Sequence, residues 1–516
     1  RMRGAIAGGH PLTAEAGARV LAEGGNAVDA CIAACFASWV AESPLTGPGG
    51  GGFMLVHRAR DRSTRVLDFF VTAPGLGLEP GGAAAMEAVD VDFSGGSSQV
   101  FRIGAASCAV PGTVAGLEAA HRAYASLPWR ELIRPAAELA RSGLELTRPQ
   151  AYLHAILDLI LRHTPEGRAV YGEEGRLVAG ERLTMSDLAG TLELLAHEGA
   201  AVLYRGELAR ALAEHVREAG GTITERDLAE FRVVRRRPVG AVFRGHAFAS
   251  NPPPSAGGIL IGYALGLLER IGTDAAPGSA EAIAALAEVM REQGRARARG
   301  FERALHRGGL PQRLRDEEAL ALGRIANGDA GVPEHSTPGG TTHISAIDGR
   351  GNAAALTVST GSGSGIVVPG TGIQLNNMLG EFDLPRAPRP GTRLSSMMSP
   401  TLVSHDGRPR LVVGSAGSLR LRSAVLQVVV NVVAHGLPVE EAVERPRVHL
   451  EEPHLHCEGG TDPAEVDRLL ERGYQVVRWR RRNLYFGGAA AVEVLPDGSL
   501  AAAGDPRRGG AGVVVE

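Results

Sequence analysis

The chain has 516 residues, 44% of them hydrophobic and 22% charged, with a formal net charge of -3 and an isoelectric point near 6.6. That is a globular composition, long enough for one large core or two to three ordinary domains, and its near-neutral charge gives no electrostatic reason to expect nucleic acid or an anionic membrane as the main partner. No lysine occurs, which removes a Walker A loop, a Schiff-base lysine and a Ser-x-x-Lys acylase, since each needs the missing amine.

The opening "RMRGAIAGGHPLTAEAG" lacks the long apolar segment of a secretory signal, and no run of about 18 apolar residues follows anywhere. A cytoplasmic location is therefore expected, although the first residue is not Met and a preceding segment stays open. Thr13 is the expected cap of a helix running to about Glu23; "GGN" at 24–26 turns the chain, and "AVDACIAACFASWVA" predicts a second, mostly apolar helix. The four glycines of "GPGGGGFMLVHR" feed a strand and mark a place where backbone approaches something closely. Residues 108–235 read as a helix-rich block, strands return at "AVFRGHAFAS", and Ser279 to Leu322 reads as further arginine-rich helix. The segment 323–340 has the composition of a linker, dense in Gly, Pro, Asn and Asp.

From Thr341 onward short β-type runs dominate, interleaved with helices near Arg420–Ala434 and Pro463–Arg472. Strands and helices on both sides of the linker predict one layered α/β structure spanning it. Cys31, Cys35, Cys108 and Cys457 show no paired zinc spacing and read as small buried hydrophobes in a reducing compartment. His449, His454, His456 and Cys457 have metal-ligand residue types, but their spacing fits no standard zinc motif, so no metal is expected.

The chemically suggestive stretch is "GGTTHISAID" at 339–348. A threonine hydroxyl placed after glycine can attack the preceding carbonyl, and an N-to-O acyl shift followed by hydrolysis releases an amino-terminal threonine. The free amine, with an ordinary pKa of about 7.7–8.0, then serves as base for its own hydroxyl. Taken alone, the junction reads better as a turn entering a strand.

Its surroundings decide between these. "GGNAVDACIA", "GPGGGGFMLVHR", "AVPGTVAGLEA", "NPPPSAGGILI", "GGTTHISAID", "GTGIQLNNMLGEFD", "RLSSMMSPTLV", "VVGSAGSLR", "RPRVH" and "GDPRR" occur in this order along the chain. With them the chain resembles the gamma-glutamyltranspeptidase family of N-terminal nucleophile hydrolases from end to end. The resemblance implies a four-layer αββα sandwich made as one precursor and cut between Gly340 and Thr341. Residues 1–340 and 341–516 would become a large and a small subunit forming one composite domain. It implies Thr341 as nucleophile, with Gly417 and Ser418 as oxyanion donors. Ser395 and Ser396 match the serine pair that binds a substrate carboxylate, and Glu381 the acid that grips its amino group. Asn377, in the motif "QLNNMLGEFD", is carried over as a substrate contact.

Departures bear on the substrate. "LDFFVTAP" places Phe70 where the family carries an arginine for the γ-glutamyl carboxylate, and losing that forked donor weakens binding of an ordinary γ-glutamyl group. Met378 replaces a polar amide. "TVSTGSGSG" is shortened and lacks an asparagine, leaving Ser359 and Thr360 as polar partners for Thr341. Arg422, absent from the family pattern, is a candidate substitute carboxylate clamp. The expected activity is that of a self-processing amidohydrolase or acyltransferase on a small amide or γ-glutamyl-like substrate, resolved by water or an amine acceptor and needing no cofactor. A higher homo-oligomer stays open. The alternatives are a glutaryl-type acylase or a carbon–carbon bond hydrolase acting on a 2-oxo acid, and, from another class, an unprocessed ligand-binding relative.

Overall fold

The computed structural model describes residues 3–93, 97–298, 300–334, 340–381, 388–417 and 419–516. Thirteen strands build its two large sheets. In chain order they are β1 (Gly4–Gly8), β2 (Gly51–Arg58), β3 (Ser63–Phe69), β4 (Val234–Arg236), β5 (Val239–Phe243), β6 (His246–Ser250), β7 (Thr341–Asp348), β8 (Ala353–Ser359), β9 (Thr401–His405), β10 (Arg408–Ala416), β11 (Gly488–Val494), β12 (Leu500–Gly504) and β13 (Ala511–Val515). The first sheet runs β13-β1-β7-β8-β2-β3-β4 and the second β12-β11-β10-β9-β6-β5, antiparallel throughout.

The layers follow from side-chain alternation. Ile6, Met54, Ile344, Ala354 and Leu356 enter one apolar cluster, while Ala5, Ala7, Phe53, Leu55, Ala353 and Ala355 enter another, so both faces of the first sheet are buried. The first cluster packs under the helices Pro11–Ala22 and Ala27–Ala41, and the second lies against Leu402, Leu411 and Val413 of the opposing sheet. Helices Gly257–Ile271 and Leu419–Val433 cover that sheet's outer side, and helix Ala280–Ala296 packs on the first of them. The expected αββα sandwich is therefore the observed one, and helix Ala27–Ala41 is buried all round because it lies between the sheet and the helices Pro11–Ala22 and Trp129–Ser142.

Local expectations differ in places. The first helix starts at Pro11 and is capped by His10, whose Nδ1 accepts from Leu12 N at 3.0 Å. Thr13 instead donates to Glu42 Oε2 at 2.8 Å, because proline needs no donor at the first turn and shifts the start forward. The expected linker begins late, since helix Leu310–Asn327 runs into it. Two features went unforeseen: a hairpin of Glu87–Phe93 with Ser97–Ile103, and a short helix Val439–Glu444. All four cysteines are free and buried. Among the described residues, no helix is long and apolar enough to cross a membrane.

Candidate active site

Thr341 opens β7 and is buried, paired across the sheet with Ser359 at the end of β8. Ser359 pairs in turn with Gly51, and the neighbouring Gly52 with Phe69. These residues therefore form a row across four strand ends. The close packing expected of the glycines is present, since a Cβ on Gly50 would stand 2.2 Å from the Ser359 carbonyl oxygen. Within β7, Thr341, His343 and Ser345 point between the sheets: Ser345 Oγ donates to Ala490 O of β11 at 3.0 Å. Thr342 points the other way and donates to Glu42 Oε1 at 2.7 Å. Burial pushes the Glu42 carboxyl up, while the hydroxyls of Thr342 and Thr13 and the Arg508 guanidinium oppose the shift.

The junction is held on both sides of its peptide. Gly340 N donates to Gly361 O at 2.8 Å, and the Gly340 carbonyl accepts from Ser359 Oγ, which itself accepts from Gly361 N at 2.8 Å. A hydroxyl thus points at the carbonyl that a Thr341 attack would convert to an oxyanion. Gly361 has φ of +69°, and a Cβ there would meet Asn377 Oδ1 at 2.1 Å and Glu381 Oε1 at 2.8 Å. The shortened loop therefore needs glycine, and it brings the Glu381 carboxyl against the residue that grips the junction. Oε1 of Glu381 is buried without a hydrogen-bond partner among the described residues. Burial holds this carboxyl up at about 8, against the Ser362 N–H, which pulls it down.

Ser395 and Ser396 are buried in the loop that leads into β9, with Ser395 Oγ 3.3 Å from His306 Nε2 and Ser396 Oγ accepting from Met398 N at 3.1 Å. Asn251 of "NPPPSAGG" fixes this loop by donating to Met398 O at 3.0 Å. Gly417 follows the end of β10 with a positive φ of +107°, just before helix Leu419–Val433; Ser418 lies outside the described residues. His343 is no base for this site. Its ring nitrogens sit 2.7 Å from Thr357 Oγ1 and 2.8 Å from Ser345 Oγ, and burial drives the imidazole down to about 3, so it is neutral.

Five expected substrate contacts are engaged elsewhere. Thr360 donates its hydroxyl to Leu45 O at 3.0 Å, away from Thr341. Asn377 accepts from Ser362 N at 2.9 Å and donates to Arg102 O at 3.2 Å, so its amide shapes the loop. Phe70 stacks on Phe53, ring centroids 5.4 Å apart, inside the core; with strands ~4.8 Å apart it lies ~14 Å along the sheet from Thr341. Met378 is buried in the same cluster. Arg422, expected as an open clamp, is 1% exposed and donates to Glu334 Oε2 of the linker at 2.7 Å.

Sequence reasoning missed Glu42, His306 and Arg393. Arg393 donates to the carbonyl oxygens of Phe70 and Arg232, approaches Asp68 Oδ1 at 3.7 Å and lies 4.9 Å over the Phe231 ring. A guanidinium does reach the Phe70 segment, but it binds backbone there. The three-residue spacing of Arg393 and Ser396 was the available signal; Glu42, 300 residues from Thr342, left none.

A cavity of about 480 Å³ opens at the opposite ends of these strands, lined by His57, Arg58, Arg350 and Asn352. It holds none of the residues above. His449 Nδ1 lies 2.8 Å from Ser423 Oγ, and His456 Nδ1 accepts from Trp479 Nε1 at 3.1 Å. Among the described residues there is no group of three or more metal-ligating side chains.

Residues 13–515 match the sequence profile of the family described as Gamma-glutamyltranspeptidase. The chain is 33% identical to the acylase ACY 1 proenzyme of Pseudomonas sp. (strain SE83), over 99% of this chain and 94% of that protein. It is likewise 33% identical to the glutathione hydrolase proenzyme of Escherichia coli (strain K12), over 98% and 90%. Its fold is similar to that of the cephalosporin acylase from Bacillus halodurans, TM-score 0.83 at 24% identity, covering 100% of this chain and 96% of that one. The gamma-glutamyltranspeptidase of Helicobacter pylori matches with TM-score 0.54 at 31% identity, over 63% and 92%.

Proposed function

The chain belongs to the gamma-glutamyltranspeptidase family, and on that premise we propose that it is a self-processing N-terminal threonine amidohydrolase or acyltransferase. The observation that carries the reading is the grip on Gly340, its carbonyl on Ser359 Oγ and its N–H on Gly361 O, beside the buried Thr341. Thr341 Oγ attacks the Gly340 carbonyl carbon, the C–N bond breaks to give an ester and a free amine, and water hydrolyses the ester. Ser359 stabilises the oxyanion of the first step.

In turnover the freed Thr341 amine takes the proton of its own hydroxyl, which attacks a substrate amide carbonyl. The N–H groups of Gly417 and Ser418 receive the developing charge, the amine leaves protonated, and water or an acceptor amine resolves the acyl-enzyme. Glu381 receives a substrate ammonium, and Ser395, beside His306, a carboxylate.

A second reading is an acylase acting on a side chain other than γ-glutamyl. It is favoured by Phe70 and Met378, both apolar and core-buried at positions where the resemblance leads one to expect polar substrate contacts, and by the acylase relatives. Denaturing gels with intact-mass analysis test the first part: the native chain should give fragments of 340 and 176 residues, the smaller beginning Thr-Thr-His, and Thr341→Ala a single chain of 516. Equal cutting of Thr341→Ala would sink it. Comparing γ-glutamyl, glutaryl and neutral acyl anilides separates the two substrate readings.

A further inference from the structure

The described part of the linker, residues 328–334, crosses the surface as a thin strap, mostly exposed. It is fastened at two points. Asp329 O accepts from Arg295 Nη2 at 3.2 Å, and the Glu334 carboxylate bridges two arginines, Oε1 to Arg297 Nη1 at 2.6 Å and Oε2 to Arg422 Nη2 at 2.7 Å. Burial pushes this carboxyl up, but the guanidiniums of Arg422 and Arg297 outweigh it and pull it down to about 2. Arg422 is out of proportion to its task. It is 1% exposed, yet only one of its donors is used, and its Nε and Nη1 are buried without a hydrogen-bond partner among the described residues. An arginine with spare buried donors suits a second, forked acceptor.

Its position gives that acceptor a purpose. Arg422 stands one turn into helix Leu419–Val433, so its backbone is ~7 Å along the axis from Gly417, at the end of the helix nearest the oxyanion loop. In the same turn Arg420 lies 4.1 Å over the Tyr485 ring, with Nε also buried and unpartnered among the described residues. The strap that covers this charge leads into the segment that the proposed cut turns into a chain end.

We propose that Arg422 and Arg297 form a carboxylate-binding site which the chain's own Glu334 fills before the cut, and which the carboxylate of an anionic acyl substrate fills once the strap is freed. The site takes over a role that Phe70 cannot perform. This inference rests on the self-cleavage reading for its timing, but the site itself can be tested apart from it, because Glu334→Gln removes the internal carboxylate whether or not the chain is cut.

The probe is glutarate, followed by calorimetry on the full-length protein and its Glu334→Gln, Arg422→Gln and doubly substituted forms, with the state of the Gly340–Thr341 bond read by mass in each sample. Glu334→Gln is expected to bind glutarate at least tenfold more tightly than the double variant, since a charge-assisted pair is lost in the latter. In cut enzyme, Arg422→Gln should raise the ratio of KM for a glutaryl anilide to KM for a butyryl anilide by about tenfold. Equal glutarate binding by Glu334→Gln and the double variant overturns the site. Tight glutarate binding by Glu334→Gln in a preparation whose native protein is also uncut upholds the site while overturning the reading of the reaction. Should Arg422→Gln fail to fold, glutarate binding by Glu334→Gln against that of the native protein decides alone: no gain overturns the site.

Discussion

Replacing Ser359 by alanine removes the hydroxyl that donates to the Gly340 carbonyl and accepts from Gly361 N. Two costs follow, and they act on different quantities. The carbonyl oxygen loses the donor that meets it as it becomes an oxyanion, and loss of one such donor slows acyl chemistry by about 100- to 1,000-fold, or about 2.7–4 kcal/mol. The buried Gly361 N–H loses its acceptor, which costs about 1–3 kcal/mol of stability. That is too little to unfold most domains of this kind. Self-cleavage should therefore slow by two to three orders of magnitude in a protein that still melts cooperatively. Purifying uncut protein and following the small fragment by intact mass over hours measures the first effect, and calorimetric melting the second. Ser359→Thr, which keeps the hydroxyl, should recover most of the rate. If Ser359→Ala is cut within threefold of the native rate, or Ser359→Thr is as slow as the alanine form, the hydroxyl is not the oxyanion donor.

For a substrate bearing an ammonium, kcat/KM should climb between about pH 6 and 8 as the Glu381 carboxyl ionises, and Glu381→Gln should abolish that limb in a pH–rate profile. The same group affects stability in the other sense. Its carboxyl is held up at about 8, so its contribution is fully present below the usual carboxylate range and is lost as pH rises through about 8, a decline that melting curves of Glu381→Gln should lack. His343→Gln should lower the melting temperature, because the hydroxyls of Thr357 and Ser345 lose a matched buried partner, while leaving the pH dependence of cleavage between 5 and 8 unchanged. Gly9→Ala would place a Cβ 2.1 Å from Glu42 Oε1 and 2.5 Å from Thr342 Oγ1. It should destabilise the protein by about 1–3 kcal/mol in denaturant titration and slow the cut by shifting the start of β7.

Much of this was legible in the residues, for reasons that differ by element. The layers follow from runs such as "THISAID" and "AAALTVS", whose alternation survives because both faces are buried against different partners. The junction was legible only through the motifs around it, because Gly-Gly-Thr-Thr alone also suits a turn that enters a strand. The hairpin Glu87–Phe93 with Ser97–Ile103 went unforeseen although Val89 and Val91 carry a period-two signal. What could not be read is whatever depends on long-range pairing. Nothing in "SLRLR" says that Arg422 is covered by an acid 88 residues earlier, and nothing in "LDFF" says whether Phe70 faces a ligand or Phe53. Asn377 and Thr360 show the same limit, since a polar side chain in a family motif is equally suited to touching substrate and to holding the loop that does.

The strand order of the first sheet carries one more consequence. β1 comes from before the junction, and on either side it is hydrogen-bonded to β13 and β7, which come from after it; β8 in turn is bonded to β2. Cutting the chain after Gly340 would give two polypeptides woven through each other, neither able to leave without tearing a sheet buried on both faces. Covalent continuity is then needed once, to thread the weave, and can be discarded afterwards with no loss of architecture. Fragments 1–340 and 341–516 made separately would have to find that interleaving by collision, whereas a chain cut after folding keeps it through kinetic entrapment, a memory of connectivity that its final covalent structure no longer records.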